Sequence, residues 1–149
     1  MNASDTRKPA ERVVVGVDGS PSSLSALRWA VRHAAATGAE VEAVYAWEYP
    51  VAFGEPLALL PGENLAAAAG TAFASVIEKA ATGSPRVEVR HRVELGNPVT
   101  VLLARAERAD LLVVGWRGYG GFDKALLGSV SQHCIRHASC PVVVVRGEQ

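Results

Sequence analysis

Four glycine and serine residues with the spacing Gly-x2-Gly-x9-Gly-Ser give the clearest chemical signal in this chain of 149 residues. Gly115 and Gly118 follow an apolar run, and Gly128 and Ser129 open a stretch typical of a helix. A strand, a glycine-rich loop and a helix N-terminus together gather unpaired backbone N–H groups and the positive end of a helix dipole. Phosphate groups bind at such junctions. The spacing therefore predicts an anion site, although Gly128-Ser129 taken alone is more typical of an ordinary helix start.

The residues around these glycines strengthen the prediction of a phosphate site. Arg117 carries a delocalised cation that suits phosphate. Val114 ends the apolar run beside Gly115, and Val130 adds a backbone N–H to the first turn of the expected helix. Ser131 adds a hydroxyl donor in that turn, as Ser129 does. These residues are counted as candidate ligand contacts.

A second candidate segment, Gly16-Val17-Asp18-Gly19-Ser20, follows the first apolar strand. The Asp18 carboxylate could hydrogen-bond a ribose hydroxyl or adenine, or hold a divalent cation beside phosphate. Gly16, Val17 and Ser20 would border the same ligand. The alternative for Asp18 is an Asx turn or a helix cap over Gly19 and Ser20.

The elements that must position these segments alternate along the chain. Residues 1–11 are polar and aperiodic, which predicts a disordered tail before a single domain over 12–147. The domain is expected to hold five strands (12–17, 41–47, 87–93, 110–115, 141–146) and four helices (21–38, 63–82, 98–108, 128–138). Alternation of this kind indicates an α/β fold with a parallel sheet between two helix layers. Residues 48–62 are predicted to form a long loop, either a cover for a ligand or a surface insertion.

Taken together, these motifs resemble the nucleotide-binding type of universal stress protein over about residues 12–146. The glycine spacing, the Asp18 segment and the closing run Cys140-Pro141-Val142-Val143-Val144-Val145 carry the resemblance. It implies an open, doubly wound parallel five-stranded sheet of order 3-2-1-4-5, with the Rossmann-like fold of the adenine nucleotide alpha hydrolases. In that order the first and fourth strands are neighbours, so both candidate segments would meet at one crevice.

The resemblance also implies ligands, partners and a role. The expected ligand is ATP, AMP or cyclic AMP, with Mg²⁺ as an optional companion held through Asp18. Ala46, late in the second strand, would pack against adenine, and Gly115, Arg117 and Gly118 would surround ribose and phosphates. A homodimer would form through the last strand, Val142–Val145, and nucleotide occupancy would serve stress regulation.

Trp116 departs from the family pattern, which commonly has a small polar residue at this position. Its indole could stack on a ligand, lie against the glycine-rich loop, or block part of the pocket. Tyr119, Gly120, Gly121 and Phe122 lie within that loop, which is expected to be mobile when empty.

Charge and composition exclude several other classes of protein. The 15 Lys and Arg residues balance the 15 Asp and Glu residues, so no basic excess favours a nucleic-acid binder. The Gly-x4-Gly-Lys-Ser/Thr sequence that is typical of a P-loop does not occur. No apolar segment predicts a secretory signal or a membrane span. Two cysteines indicate a reducing cytoplasm, with Cys134 expected to be a buried core thiol.

Fast catalysis has little support in the sequence. None of the four histidines lies near Asp18 or Gly115 along the chain, and no metal-ligand spacing occurs. We therefore expect regulation by nucleotide binding. The alternatives are a weak ATPase that uses Asp18 and Mg²⁺, and a dimeric interaction protein whose pocket is empty.

Overall fold

The computed structural model describes residues 9–48, 51–52, 55–56, 62–83, 86–117 and 127–147. Within residues 51–66 the description is limited to the backbone. Of the tail predicted to be disordered, residues 1–11, the first eight lie outside the described residues, as does the loop around Tyr119–Phe122 that was predicted to be mobile. Glu11, the last residue of that tail, is in contact with the domain, since its carbonyl accepts from the Glu40 N–H at 2.8 Å.

Five parallel strands form the central sheet. They are β1 (Arg12–Gly16), β2 (Glu40–Trp47), β5 (Val89–Leu95), β6 (Leu111–Gly115) and β7 (Val142–Val145). Their order is β5-β2-β1-β6-β7. This confirms the expected 3-2-1-4-5 sheet, with the half-polar third strand at one edge and the last strand at the other.

Two helices cover each face of the sheet. They are α1 (Pro21–Thr37), α2 (Gly62–Ala81), α3 (Pro98–Ala106) and α4 (Ser129–His137). One buried cluster joins α1 and α2 to the sheet through residues such as Leu27 and Phe73. The other joins α3 and α4 to the opposite face through Leu102 and Cys134. The doubly wound architecture therefore places both candidate segments at the carboxyl edge of the strands.

The sequence signals at both ends of α1 have the expected effect. The Ser20 hydroxyl accepts a hydrogen bond from the backbone N–H of Ser23 at 3.3 Å, and Pro21 begins the helix. Gly38 ends it with φ of +78°, a left-handed conformation that favours glycine, and its N–H donates to Ala34 O at 2.8 Å. Because the cap fixes Ser20, it also fixes the segment that follows β1.

The region predicted as an irregular loop contains a short antiparallel ribbon. Strand β3 (Val51–Ala52) pairs with β4 (Glu55–Pro56), in the register Val51↔Pro56. Two residues per strand are too few to show alternation, so the sequence could not reveal this pairing.

The outer part of the α3-side face of the sheet is covered by charges instead of a helix. A charged groove of about 760 Å³ lies between α3 and β5 and is lined by Arg12, Val14, Glu42, Glu88, Val89, Arg90, His91, Arg92, Glu94, Ala104, Arg105 and Arg108. Arg92 lies 3.7 Å from Glu42, Arg105 lies 4.0 Å from Glu42, and both arginines also pair with Glu94.

None of the helices that the structure describes is both long and apolar enough to cross a membrane.

Candidate functional site

The two candidate segments meet at the carboxyl edge of the sheet. Strands β1 and β6 are neighbours, with Val15 opposite Val113. Beyond them, the backbone N–H of Arg117 donates to the Ser22 hydroxyl at 3.1 Å. The Ser20 hydroxyl lies 3.4 Å from the Arg117 carbonyl oxygen, to which it donates. Two parts of the chain almost a hundred positions apart therefore form one structural unit.

The N-terminus of α4 joins the same unit. The Gly128 N–H donates to Trp116 O at 2.9 Å, and Gly128 makes no side-chain cap for the helix. The first N–H groups of α4 are therefore free of a capping side chain. Ser129 is exposed in this first turn. The arrangement has the features of the predicted anion site.

The Ser131 hydroxyl has a different setting from that of Ser129. Ser131 is 3% exposed, and its hydroxyl donates to the backbone carbonyl of Gly115. This bond fixes the end of β6 against the first turn of α4. Ser131 thus positions the site, and its only hydroxyl proton is already engaged.

Asp18 is exposed just beyond β1 and forms the Asx turn considered as its alternative role. Its Oδ1 accepts a hydrogen bond from the Ser20 N–H at 2.8 Å. Its own N–H donates to the Ser23 hydroxyl at 3.2 Å. The turn holds an exposed carboxylate at the mouth of the crevice, so the structural role and a ligand-binding role are compatible.

Arg117 has an unsatisfied donor at this junction. Its Nη1 atom is buried and has no hydrogen-bond partner among the described residues. A buried donor without a partner destabilises the fold by about 1–3 kcal/mol, more if charged. An anionic ligand is the kind of group that would supply the missing acceptor. The residues present therefore fit a phosphate-bearing ligand.

The Trp116 indole lies against the end of the chain's last strand. The guanidinium carbon of Arg146 is 4.4 Å from the indole centroid, and the Trp116 N–H donates to Val145 O at 2.8 Å. This placement was not among those expected from the sequence. Nothing in the spacing pointed to it, because 30 positions separate Trp116 from Arg146.

Two site glycines are required by packing within the protein. A Cβ on Gly115 would lie 2.5 Å from Ser22 Oγ and 2.7 Å from the Ser22 carbonyl carbon. A Cβ on Gly16 would lie 2.8 Å from Leu102 Cδ1. These glycines let α1 and α3 approach the strands, a reason that differs from the close ligand approach inferred from the sequence. Gly118 lies outside the described residues.

The remaining candidates border the crevice from the strands. Val17 and Val114 are buried, and the Val17 N–H donates to Val44 O at 2.9 Å. Ala46 is half-buried at the carboxyl end of β2 and packs against the α3-side cluster. Ser22 was missed as a site residue, although it lies within the Asp-Gly-Ser-Pro-Ser-Ser segment that the sequence singled out.

Both cysteines pack in the cluster on the α3 and α4 side of the sheet. Cys134 is fully buried, which confirms the expected core thiol. Burial, with a smaller contribution from Cys140, raises the pKa of Cys134 to about 11, and burial also raises the pKa of Cys140. Neither thiol is therefore activated as a nucleophile. Within the described ranges, no three His, Cys, Asp or Glu side chains group as metal ligands.

Comparison with known proteins defines the family. The model of the universal stress protein family matches residues 9–146, so the chain belongs to the universal stress protein family. A universal stress protein of Mycolicibacterium smegmatis is 37% identical over 147 residues, which are 97% of this chain and 47% of that protein. The chain spans about half the length of the curated relatives it matches.

Solved structures agree with the fold. The universal stress protein UspA of Lactobacillus plantarum superposes with a TM-score of 0.74 at 23% identity, covering 94% of this chain and all of that one. A universal stress protein crystallised in complex with cAMP gives a TM-score of 0.64 at 27% identity, covering 95% of this chain and all of its own. A small nucleotide is thus a ligand of a structural relative.

Proposed function

We propose that this chain binds an adenine nucleotide, ATP in particular, in the crevice between the segment after β1 and the segment after β6. Nucleotide occupancy would regulate a stress response without fast turnover. The Nη1 atom of Arg117 carries the proposal, because it is a buried cationic donor without a partner among the described residues and an anion would supply its acceptor. Arg117 directly follows Trp116, whose carbonyl accepts from the Gly128 N–H at the uncapped start of α4. The cAMP complex of a relative supports a nucleotide as that anion.

The phosphates would bind at the start of α4. Backbone N–H groups of Gly128, Ser129 and Val130 and the exposed Ser129 hydroxyl would donate to them. Arg117 would neutralise their charge, with Gly115 and Gly118 beside the ribose. Ser131 would act through its bond to Gly115 O, holding β6 at the correct distance from the helix.

The nucleoside would lie along the ends of β1 and β2. Ala46 would pack against adenine, while Gly16, Val17 and Ser20 would form the wall beside it. Asp18 would accept a hydrogen bond from ribose or adenine. Any Mg²⁺ would depend on Asp18 together with phosphate oxygens, because the described residues supply no cluster of protein ligands.

Calorimetry with ATP, AMP and cyclic AMP tests the binding proposal. We expect saturable binding of ATP, and the absence of heat with all three nucleotides would favour an interaction protein with an empty pocket. Phosphate release under the same conditions tests catalysis. A rate above about 1 s⁻¹ would show an enzyme in the usual range and contradict a purely regulatory role.

We further propose a cytoplasmic homodimer formed through β7. This strand is an apolar edge of the sheet, and pairing with the same strand of a second copy would cover it. Both thiols are free, which agrees with a reducing compartment. Sedimentation of the purified chain tests the dimer, and cell fractionation tests the compartment.

A further inference from the structure

We propose that Arg146, stacked on Trp116, is a second phosphate-binding cation that makes the site select nucleotides with a polyphosphate chain over AMP and cyclic AMP. The inference rests on the proposed nucleotide site and specifies its ligand class. Arg146 lies outside the glycine pattern that pointed to the site, and Trp116 occupies one of the unspecified positions between Gly115 and Gly118.

The stacking geometry leaves the Arg146 donors available. The guanidinium carbon lies 4.4 Å from the indole centroid, so one face of the guanidinium is used by the ring. The five N–H donors of an arginine lie in the plane of the guanidinium, at its edges. Arg146 is exposed, and its side chain makes no hydrogen bond or ion pair with the described residues. The indole therefore holds a cation whose donors have no partner among the described residues.

The backbone of Trp116 places this cation beside the proposed phosphate site. The Trp116 N–H donates to Val145 O at 2.8 Å, which joins it to the end of β7. The Trp116 carbonyl accepts from the Gly128 N–H at 2.9 Å, which joins it to the start of α4. Arg146 follows Val145 directly. The stacked pair thus stands at the carboxyl edge of the sheet, where α4 begins.

The balance of charge at this edge favours a ligand with several negative charges. Arg117 has a buried donor without a partner among the described residues, and Arg146 adds an exposed cation, so the residues of the site carry two guanidinium groups against the one carboxylate of Asp18. One phosphate group, as in AMP, needs only Arg117 and the helix N-terminus. A second and a third phosphate extend the negative charge, and Arg146 is the described cation positioned to meet them. Charge-assisted hydrogen bonds of this kind are about twice as strong as neutral ones.

The test measures Kd for ATP, AMP and cyclic AMP in Arg146→Ala, with melting temperature as the measure of folding. We expect ATP affinity to fall about tenfold and AMP affinity to change less than about twofold, so the ratio of the two constants moves. Arg136→Ala, at an exposed arginine in the last turn of α4, is the matched control and should leave the ratio unchanged.

Substitutions at the platform separate charge from orientation. Trp116→Ala should reduce ATP preference because Arg146 loses its platform, whereas Trp116→Phe should retain most of it. Arg146→Lys keeps the charge but loses the planar fork, so an intermediate ATP preference is expected. If Arg146→Ala fails to fold, Arg146→Lys tests the proposal in its place.

The outcomes separate this inference from the proposed function. If the unaltered chain binds none of the three nucleotides, the proposed function itself is wrong. If it binds AMP and ATP equally well, or if Arg146→Ala weakens all three nucleotides by the same factor, the nucleotide site stands and the role of Arg146 is overturned. A selective loss of ATP affinity supports the inference.

Discussion

The hydroxyl of Ser22 accepts a hydrogen bond from the backbone N–H of Arg117 at 3.1 Å, although 95 positions separate the two residues. The same hydroxyl donates to Val145 O at 3.5 Å. One side chain in the first turn of α1 therefore connects the segment after β6 to the end of β7. Arg117 lies two residues beyond β6, and this connection to α1 helps to hold its backbone in place.

Ser22→Ala should loosen this connection without disturbing the core. The Arg117 N–H would lose its acceptor, and we expect the free energy of unfolding to fall by about 1 kcal/mol and nucleotide affinity to fall with it. Urea denaturation and calorimetry measure the two effects. Ser75→Ala, on the exposed face of α2, is the control. Equal stability of the two variants would show that the Ser22 bond contributes nothing.

Gly115→Ala should destabilise the chain because the added methyl group would clash with Ser22 in α1, whether or not a ligand is bound. The new Cβ would lie 2.5 Å from Ser22 Oγ and 2.7 Å from the Ser22 carbonyl carbon, so helix or strand must shift. A cost of roughly 1–3 kcal/mol is expected in urea denaturation without nucleotide. Gly70→Ala in α2, where nothing lies within 4 Å, should instead stabilise the chain. An unaltered stability for Gly115→Ala would contradict the close packing.

Gly128→Asp should remove nucleotide binding and leave the fold intact. Gly128 is the N-cap of α4 with φ of −64°, which any residue adopts, and aspartate is a favourable N-cap. The added carboxylate would repel phosphate, so ATP affinity should fall at least about tenfold. Gly128→Ser offers a neutral cap as the matched control. Equal ATP affinity in the two variants would place the phosphates elsewhere.

Val144→Pro should dissociate the proposed dimer. The carbonyls of Pro141 and Val145 accept from β6, so by alternation the N–H of Val144 points to the free edge of β7. Proline removes that donor and spares the bonds to β6. Sedimentation should show a monomer for Val144→Pro and a dimer for Val144→Ala. A dimer in both cases would exclude pairing through this edge.

Cys134 should react slowly with alkylating reagents in the folded chain. Burial raises its pKa to about 11, so at pH 8 nearly all of the thiol is protonated and also shielded. Reactivity should appear when urea unfolds the chain, where the pKa returns to its ordinary value. Rapid labelling of Cys134 at pH 8 without denaturant, followed by mass spectrometry, would contradict this burial.

The sequence predicted those parts of the fold that depend on local chemistry. Ser20, Pro21 and Gly38 set the ends of α1 through their own conformations, and the alternation in β5 identified a half-exposed edge strand. The boundaries of the strands shifted by one or two residues, because pairing partners and not propensity decide where a strand stops.

Contacts between distant segments could not be read in the same way. The Trp116–Arg146 stack and the Ser22–Arg117 bond join residues whose spacing carries no period. Gly115 shows the same limit. Its spacing in the sequence predicted close approach of a ligand, whereas its neighbours in the structure show close approach of α1. Sequence patterns therefore predicted secondary structure and strand order more readily than the contacts that each side chain makes.

The arginine and glutamate cluster beside β5 has a consequence for how the molecule opens. Its carboxylates, Glu42 and Glu94, are 15% and 26% exposed, whereas Arg92 is 47% exposed to solvent ions. Added salt weakens the attraction of the half-exposed Arg92 for these carboxylates and leaves apolar contacts at β1 intact. Amide protons of β5 should therefore exchange with solvent first, and faster as ionic strength rises, so that this margin of the sheet frays while the opposite half stays closed.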